Sequence, residues 1–247
     1  MRVLITSGGT KVRIDKVRDI TNMSNGTFGA RIAHAALDLG HAVCFFCAKN
    51  SRTPFSGQFD FYDNSNWYNI TKRLTELYEF YQDHQEAYTE CSFRDFDEYA
   101  TILEVLLGQY MPDIVILAAA VSDYGVANYV DGKIRSSENQ QIVLEPLPKI
   151  ISQIKQWYPE CFLVGFKLLI DADDDTLIAA ARASIQDNGC DLVVANNLES
   201  LQTGDHRLLL VTPTVHTVIW QSQRPDDPHY LARTVVQFAM EFGKCER

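Results

Sequence analysis

The sequence predicts an α/β fold: a doubly wound, mostly parallel Rossmann-like sheet with helices on both faces and an extra arm and hairpin. Two observations predict it. Short apolar runs recur with the length of strands that are buried on both faces, and helical segments alternate with them. The predicted strands are residues 3–5, 43–47, 114–119, 162–166 and 192–195. All 247 residues are expected to form a single domain, since sheets of this size commonly fold as one unit.

The composition favours a globular protein and excludes several classes of partner. Hydrophobic residues make up 46% of the chain and its formal net charge is −10, so it can build a core but has no basic face for extended nucleic acid. The sequence contains no run of roughly 18 apolar residues and no recognisable signal peptide. We therefore expect a cytoplasmic protein that binds neither nucleic acid nor membrane.

The first predicted strand ends in a glycine turn at Gly8, Gly9 and Thr10, and the next predicted helix covers residues 26–39. Glycine lets a backbone approach phosphate oxygens closely, and the N-terminus of a helix favours an anion. Fifteen residues separate Thr10 from Gly26, far more than the tight turn of a dinucleotide fingerprint. This long loop is predicted to carry chemistry.

The second half of the chain shows clearer element boundaries. A helix is predicted over residues 174–188, because its apolar residues follow the helical period and Gly189 provides a C-terminal stop. Residues 207–212 and 215–220 flank Pro213 and Thr214, which predicts a hairpin before a final helix from about His229.

Two segments interrupt the alternation of strands and helices. Residues 50–110 are expected to form a long helical insertion, in which Leu74, Leu77, Tyr78 and Tyr81 have the spacing of a buried amphipathic helix rather than a ligand site. Residues 124–148 are rich in Gly, Asn, Gln and Ser. They could form a mobile flap, a partner-facing arm or an ordinary surface loop.

The pair Cys44 and Cys47 has C-x-x-C spacing but lies in a predicted buried strand. Residues three apart in a strand point to opposite faces, so the two thiols are poorly placed to hold one metal ion. With no second C-x-x-C in the sequence, we interpret them as inert core cysteines, and we identify no metal ligands.

Several polar residues have both a structural and a functional interpretation. Asn22 could cap the helix that begins near Gly26, although Ser24 or Asn25 could do so equally well. Phe166 could stack on a nucleotide base or belong to the core. Lys149 follows a proline that opens a predicted helix, where a positive charge is unfavourable unless an anion binds nearby.

Five ordered motifs resemble those of phosphopantothenoylcysteine synthetase, the ligase of coenzyme A biosynthesis, over residues 1 to about 240. The motifs are Thr6-Ser7-Gly8-Gly9-Thr10 with Ile14-Asp15, Val17-Arg18, Ile20-Thr21-Asn22, Ser24, Gly26 and Gly29; Ala118-Ala119-Ala120-Val121-Ser122-Asp123-Tyr124; Lys133-Ile134 with Ser136-Ser137; Leu147-Pro148-Lys149-Ile150-Ile151; and Val164-Gly165-Phe166-Lys167 with Val194-Ala195-Asn196-Asn197. Five motifs in the same order are much harder to obtain by chance than one.

The resemblance implies roles for individual residues. It implies that Asn22 holds the activated acyl intermediate and that Arg18 contacts the carboxylate or phosphate of the substrate. It implies that Lys133 acts in the second half-reaction. The chain departs from the bacterial Lys-x-Lys-Lys form after Lys133, which leaves Arg135 without an assigned role. The residues expected to bind the nucleotide co-substrate are Gly8, Gly9, Thr10, Ser24, Gly26, Ala118, Ala119, Ala120, Ser122, Asp123, Lys149, Phe166 and Lys167.

The implied reaction joins 4′-phosphopantothenate to L-cysteine in two steps, with CTP or ATP as co-substrate. The carboxylate first forms an acyl-nucleotidylate and releases pyrophosphate, and the cysteine amine then displaces the nucleoside monophosphate. Mg²⁺ would neutralise the phosphates. The resemblance also implies a homodimer and a separate decarboxylase that takes the product.

Two other classes of function remain open at this point. One is an NAD(P)-dependent oxidoreductase or epimerase, although G-x-G-x-x-G is missing and Lys49 stands where a ribose-binding acid would follow the second strand. The other is a non-catalytic nucleotide sensor, which would have no use for Asn22 and Lys133 together.

Overall fold

The computed structural model describes residues 1–56, 67–136, 139–199, 206–224 and 226–245. A central sheet of eight strands runs through it. These strands are β1 (Arg2–Ser7), β4 (Ala42–Ala48), β5 (Tyr88–Phe93), β6 (Ile114–Leu117), β9 (Phe162–Leu169), β10 (Leu192–Asn197), β11 (Arg207–Val211) and β12 (His216–Trp220). Two short antiparallel pairs stand apart from it: β2 (Lys11–Arg13) with β3 (Asp19–Thr21), and β7 (Tyr124–Val126) with β8 (Leu144–Pro146).

Helices cover both faces of the sheet. They are α1 (Thr27–Asp38), α2 (Trp67–His84), α3 (Phe96–Tyr110), the short α4 (Ile154–Trp157) after a 3-10 turn over Ile150–Gln153, α5 (Asp174–Asn188) and α6 (Tyr230–Cys245). One apolar core joins the sheet to α1 and α6, and a second joins the opposite face to α3, α4 and α5. None of the described helices is long and apolar enough to cross a membrane.

The strand order is β12-β11-β10-β9-β6-β1-β4-β5. The six strands from β10 to β5 are parallel, and β11 and β12 continue the sheet as an antiparallel hairpin. From β1 the chain first builds outward through β4 and β5, then returns to β6 on the other side of β1. This reversal confirms the predicted doubly wound fold and places the topological switch point between β1 and β6.

Most predicted elements are confirmed. The helix over residues 174–188 is capped by Asp173, whose carboxylate accepts a hydrogen bond from the Thr176 N–H at 2.9 Å, and it ends at Gly189 with a φ of 67°. The C-terminal hairpin and the final helix are also present. Cys44 and Cys47 are buried in opposite cores, and burial raises the pKa of each thiol to about 11.

The region of residues 50–110 differs from the expected helical insertion in two ways. It contains the strand β5, which pairs with β4 at the edge of the sheet. The helix α2 is present, but its predicted stripe is not buried: Leu74, Tyr78 and Tyr81 are 42%, 63% and 40% exposed. Helical spacing predicts the helix correctly, but it does not reveal whether another element covers the apolar stripe.

The helix α1 lies unusually close to β1. A Cβ atom on Gly29 would fall 2.7 Å from the Cβ of Ser7, a separation that real structures do not tolerate. The Ser7 hydroxyl also donates a hydrogen bond to the Gly26 carbonyl at 3.1 Å. Glycine at position 29 is therefore required for α1 to begin beside the end of β1.

We predict that Gly29→Ala destabilises the protein by roughly 1–3 kcal/mol, the usual range for overpacking a tight contact. The matched control is Gly108→Ala in α3, where an added Cβ meets nothing within 4 Å and alanine should stabilise the helix by about 0.5–1 kcal/mol. Urea unfolding measures both free energies. Equal effects of the two substitutions would contradict the proposed close contact.

A stack of aromatic rings joins α1, α2 and the start of α6. The His34 ring stacks on Phe80 at a centroid distance of 3.8 Å and on His229 at 4.1 Å. Burial and the neighbouring His229 lower the pKa of His34 to about 4. His34 is therefore neutral in the folded protein at neutral pH.

We predict that acidification weakens the fold through His34. An unfolded histidine takes up a proton near pH 6.5, whereas the folded one resists it until about pH 4, so stability is lost as the pH falls through this window. By linkage the loss at pH 5 is about 1–2 kcal/mol. Between pH 7.5 and pH 5, the urea midpoint of unfolding should fall less for His34→Gln than for the wild type. The control is His216→Gln, which removes an exposed histidine and should behave like the wild type. An equal fall of the urea midpoint in all three proteins would refute the prediction.

Candidate functional site

The loops that follow β1 and β6 are bonded to each other at the switch point. Gly9 and Ala120 form a parallel bridge. The Ala120 N–H donates to the Gly8 carbonyl at 2.7 Å, and the Thr10 N–H donates to the Ala120 carbonyl at 3.1 Å. The two loops therefore continue the sheet briefly beyond the ends of the strands and form one surface.

Buried hydroxyl groups on the β1 side hold the β6 loop in place. The Thr6 hydroxyl accepts a hydrogen bond from the Ala119 N–H at 3.2 Å, and the Thr10 hydroxyl accepts one from the Ser122 N–H at 2.9 Å. Thr6 and Thr10 are fully buried. Residues 118–122 thus have a fixed backbone on which a ligand could rest.

The glycines of the turn permit close packing of the protein itself. A Cβ atom on Gly8, whose φ is +83°, would lie 2.7 Å from the Cβ of Ala48. On Gly9 it would lie 2.9 Å from the Asn22 carbonyl oxygen, and on Gly26, with a φ of +77°, 2.9 Å from the Ser7 hydroxyl. The sequence suggests that these glycines allow close approach of a phosphate. The structure shows another reason for them, since each packs against a neighbouring part of the protein too closely for a side chain.

Asn22 reaches the same junction from the long loop. Its amide Nδ2 donates to the Ala120 carbonyl at 2.8 Å, and the side chain is half-buried. Asn22 does not cap α1, whose N-cap is Gly26 with no side-chain cap bond; the Asn25 side-chain oxygen makes a local turn instead, accepting hydrogen bonds from the Thr27 N–H at 3.1 Å and from its hydroxyl at 2.7 Å. An amide nitrogen carries two hydrogens, so Asn22 retains the chemical capacity for a second donor bond.

A cleft of about 1700 Å³ opens beside this junction, over the carboxyl ends of β6 and β9. Phe166 lies in its wall, half-buried, with its ring edge-to-face with Phe28 at 5.9 Å between centroids. The structure brings ten of the predicted residues to this cleft. They are Asn22, Ser24, Ala118, Ala119, Ala120, Ser122, Asp123, Lys149, Phe166 and Lys167.

Lys149 has a partner that the sequence did not suggest. Its ammonium forms an ion pair with Asp123 at 2.5 Å, just before the 3-10 turn. Both side chains are about 60% exposed, at 63% and 60%. An exposed ion pair of this kind contributes little stability, so Lys149 can exchange its partner for a ligand anion at small cost.

A second cleft, of about 620 Å³, lies on the other side of the long loop. Cationic side chains from three separate segments line it: Lys11, Arg13, Lys16, Lys49 and Arg94. Four of the five are partly neutralised. Lys11 lies 3.7 Å from Asp19, Arg13 lies 3.4 Å from Asp95, Lys16 lies 2.7 Å from Asp131, and Arg94 contacts Glu98. The sequence does not predict this cleft, because no local pattern links segments so far apart.

The two clefts meet at the long loop. Asn22, Ser24 and Asn25 line both of them, and Gly9 lines the smaller one. The N-terminus of α1 begins at this meeting point, and its first turn contains no acidic residue. Its dipole therefore favours an anion there.

Two of the three predicted catalytic residues lie away from the clefts. Arg18 and Lys133 are not among the residues that line either one. Arg18 lies beside the β2–β3 hairpin, where its guanidinium contacts the Asp15 carboxylate and the Ile134 carbonyl, the latter at 3.3 Å. Lys133 is exposed in the adjoining segment of residues 124–148, called the arm below, of which residues 124–136 and 139–148 are described.

Among the residues that the structure describes, no group of three or more His, Cys, Asp or Glu side chains converges in a way that could hold a metal ion.

Comparisons with known proteins place this geometry in a family. The chain is 35% identical over 210 residues to the coenzyme A biosynthesis bifunctional protein CoaBC of Thermococcus kodakarensis, covering 85% of this chain and 44% of that protein. It is 31% identical to phosphopantothenate–cysteine ligase of Mus musculus, covering 81% of this chain and 73% of that protein. The chain thus spans less than half the length of the archaeal relative.

The fold has a solved counterpart over its whole length. The crystal structure of the DNA/pantothenate metabolism flavoprotein from Streptococcus pneumoniae covers 100% of both chains with a TM-score of 0.75 at 25% identity. The comparisons do not support an NAD(P)-dependent oxidoreductase or epimerase, or a nucleotide sensor.

The family model of the DNA/pantothenate metabolism flavoprotein C-terminal domain matches residues 1–61 and 98–241. The matched residues contain the glycine turn, the Asn22 loop and the β6 loop, whereas α2 and β5 fall in the gap between them. The chain belongs to the DNA/pantothenate metabolism flavoprotein C-terminal domain family.

Proposed function

We propose that this chain is a phosphopantothenate–cysteine ligase of coenzyme A biosynthesis. The observation that carries the proposal is the meeting of two clefts of different character at Asn22, Ser24 and Asn25. A ligase that activates a carboxylate must bring an acid and a nucleotide together at one point, because proximity supplies much of the rate. The named relatives support the choice of acid and amine.

The larger cleft is assigned to the nucleotide. Phe166 offers an aromatic face or edge for the base, and the fixed backbone of residues 118–122 lies at the switch point, where nucleotides bind in open α/β sheets. CTP or ATP fits this description equally. Mg²⁺ bound to the triphosphate would neutralise its charge and that of the departing pyrophosphate.

The smaller cleft is assigned to the phosphorylated acid. Lysines and arginines outnumber the two lining aspartates, Asp19 and Asp95, so the cleft is locally basic in a protein of net charge −10, and a phosphate group could compete for the exposed ion-paired cations. The carboxylate end of the acid would then extend toward Asn22. This orientation directs the two reacting groups toward the meeting point of the clefts.

The proposed chemistry proceeds in two displacements. A carboxylate oxygen of the acid bonds to the α-phosphorus, and the bond from that phosphorus to the bridging oxygen breaks as pyrophosphate leaves. The cysteine amine then bonds to the acyl carbon, loses a proton, and expels the nucleoside monophosphate. The Asn22 amide stabilises the oxyanion that develops at the acyl carbon. The family resemblance assigns Arg18 to the anionic group of the substrate and Lys133 to the second displacement. Neither residue lines a cleft in this structure, so both roles require the Arg18 loop and the arm to approach the bound substrates.

The same proposal includes a homodimer, a cytoplasmic location and a separate decarboxylase that takes the product. Apolar residues exposed on the arm support the dimer, since exposed apolar surface is typical of protein contacts. They are Tyr124, Tyr129, Val130, Ile142, Val143 and Leu144.

The direct test is to measure pyrophosphate with each of the four nucleoside triphosphates, with and without 4′-phosphopantothenate. We expect pyrophosphate release only when both substrates are present, because the carboxylate itself is the nucleophile. Pantothenate, which lacks the phosphate, should react poorly because it leaves the basic cleft unfilled. Release of orthophosphate in place of pyrophosphate would contradict the proposal.

We predict that Asn22→Asp slows conversion of the acyl-nucleotidylate by about a hundredfold or more, equivalent to about 3 kcal/mol, because a carboxylate replaces a donor where negative charge develops. Quenched-flow analysis of the intermediate measures the effect. Asn69→Asp, which adds the same charge on an exposed part of α2, serves as the control. Normal turnover of Asn22→Asp would reduce Asn22 to a structural link to Ala120.

A further inference from the structure

One buried carboxylate lies outside both clefts and has no part in the chemistry above. The side chain of Asp15 is fully buried. Its Oδ1 accepts hydrogen bonds from the Val17 and Arg18 N–H groups at 2.8 Å each. Its Oδ2 accepts one from the Ile134 N–H at 3.0 Å and contacts the Arg18 guanidinium. Four donors thus converge on a single carboxylate: the Val17 N–H, the N–H and guanidinium of Arg18, and the Ile134 N–H from the arm.

This carboxylate lies where the β2–β3 hairpin meets the arm. Backbone bonds flank it on both sides: the Val130 N–H donates to the Ile14 carbonyl at 3.2 Å, and the Lys16 N–H donates to the Gly132 carbonyl at 2.9 Å. Ile134, which donates to Asp15, is the immediate neighbour of Lys133. The position of Lys133 on the arm therefore depends on a contact made by the loop that carries Arg18.

The electrostatics of Asp15 fit a permanent anion. Burial by itself would raise the pKa of this carboxyl, but hydrogen bonds from the N–H groups of Ile134, Val17 and Arg18 and from the Arg18 guanidinium lower it to about 2. A buried charge that lost these partners would be strongly unfavourable. Lys16 and Asp131 form an ion pair at the same contact, 2.7 Å apart. Loss of this pair would cost little, because both side chains are largely in solvent.

We propose that Asp15 is a positioning residue that fixes Arg18 and Lys133 relative to each other, so that the loop serving the first displacement and the arm serving the second are held as one unit. This inference rests on the proposed function for its kinetic consequences, but the mechanical coupling of hairpin and arm does not. Asp15 acts through Arg18 and through the backbone of Ile134.

The test compares Asp15→Asn with Asp131→Asn, which removes a carboxylate from the same contact on its exposed side. Asp15→Asn should lower the rate of pyrophosphate release and the rate of product formation at least tenfold each, and leave the KM for the nucleotide within about twofold, since the larger cleft is untouched. Asp131→Asn should keep both maximal rates within about twofold, and any effect through its partner Lys16, which lines the smaller cleft, should appear only in the KM for 4′-phosphopantothenate. Wild-type rates for a folded Asp15→Asn protein would overturn the proposal.

Double-mutant cycles separate positioning from general damage. The effect of Asp15→Asn on the first step should nearly vanish in an Arg18→Gln background, and its effect on the second step should shrink in a Lys133→Gln background. Additive losses in both cycles would show that Asp15 serves only the fold, and would overturn the proposal.

Hydrogen exchange of the wild-type protein provides a test that needs neither activity nor a folded variant. The amides of Val17, Arg18 and Ile134 should open with the same free energy, because one carboxylate holds all three. Exchange of Ile134 well ahead of Val17 and Arg18 would overturn the coupling. If the wild type releases no pyrophosphate but these amides exchange together, the proposed function fails and the coupling stands.

Discussion

The site depends on the backbone joint between Gly9 and Ala120. In a doubly wound sheet the loops on either side of the switch point usually diverge and leave a crevice. Here the Ala120 N–H and carbonyl bond to Gly8 and Thr10, so the two loops form one continuous floor. Asn22 donates to the same carbonyl, and the long loop is thereby anchored to that floor.

This anchoring divides the space above the sheet into two clefts. Gly8, Gly9 and Gly26 allow the loops to pack this closely, because larger residues would collide with Ala48, Asn22 and Ser7. A nucleotide on one side and a phosphorylated acid on the other would meet over the same amide group. The proposed function places its two phosphorylated substrates in these two clefts.

The sequence predicted the parts of this structure that depend on local pattern. Buried parallel strands are apolar along their whole length, and helix α5 has apolar residues at the helical period and a terminal glycine, so these elements were identified correctly. Strand β5 was missed because it lies at the edge, where only Phe93 is buried and no alternation is visible. The exposed stripe of α2 was predicted as buried because periodicity carries no information about a covering partner.

In the candidate site too, the sequence predicts what depends on local pattern and misses what depends on tertiary contacts. The cleft-lining residues of the β6 loop could be predicted because they form one compact motif. The basic cleft could not, since Arg13, Lys49 and Arg94 come together only through the tertiary fold. Asp15 stood within a recognised motif, but its burial depends on the arm more than a hundred residues further along the chain, through Ile134.

The central claim is that a carboxylate and a nucleotide react directly at the meeting point of the clefts. Transfer of isotopic oxygen tests it most directly: 4′-phosphopantothenate labelled with ¹⁸O in its carboxylate is turned over with cysteine and the preferred nucleotide, and the products are analysed by mass spectrometry. Direct attack on the α-phosphorus predicts one ¹⁸O atom in the nucleoside monophosphate and none in pyrophosphate. Label in orthophosphate, or unlabelled nucleoside monophosphate, would contradict the account.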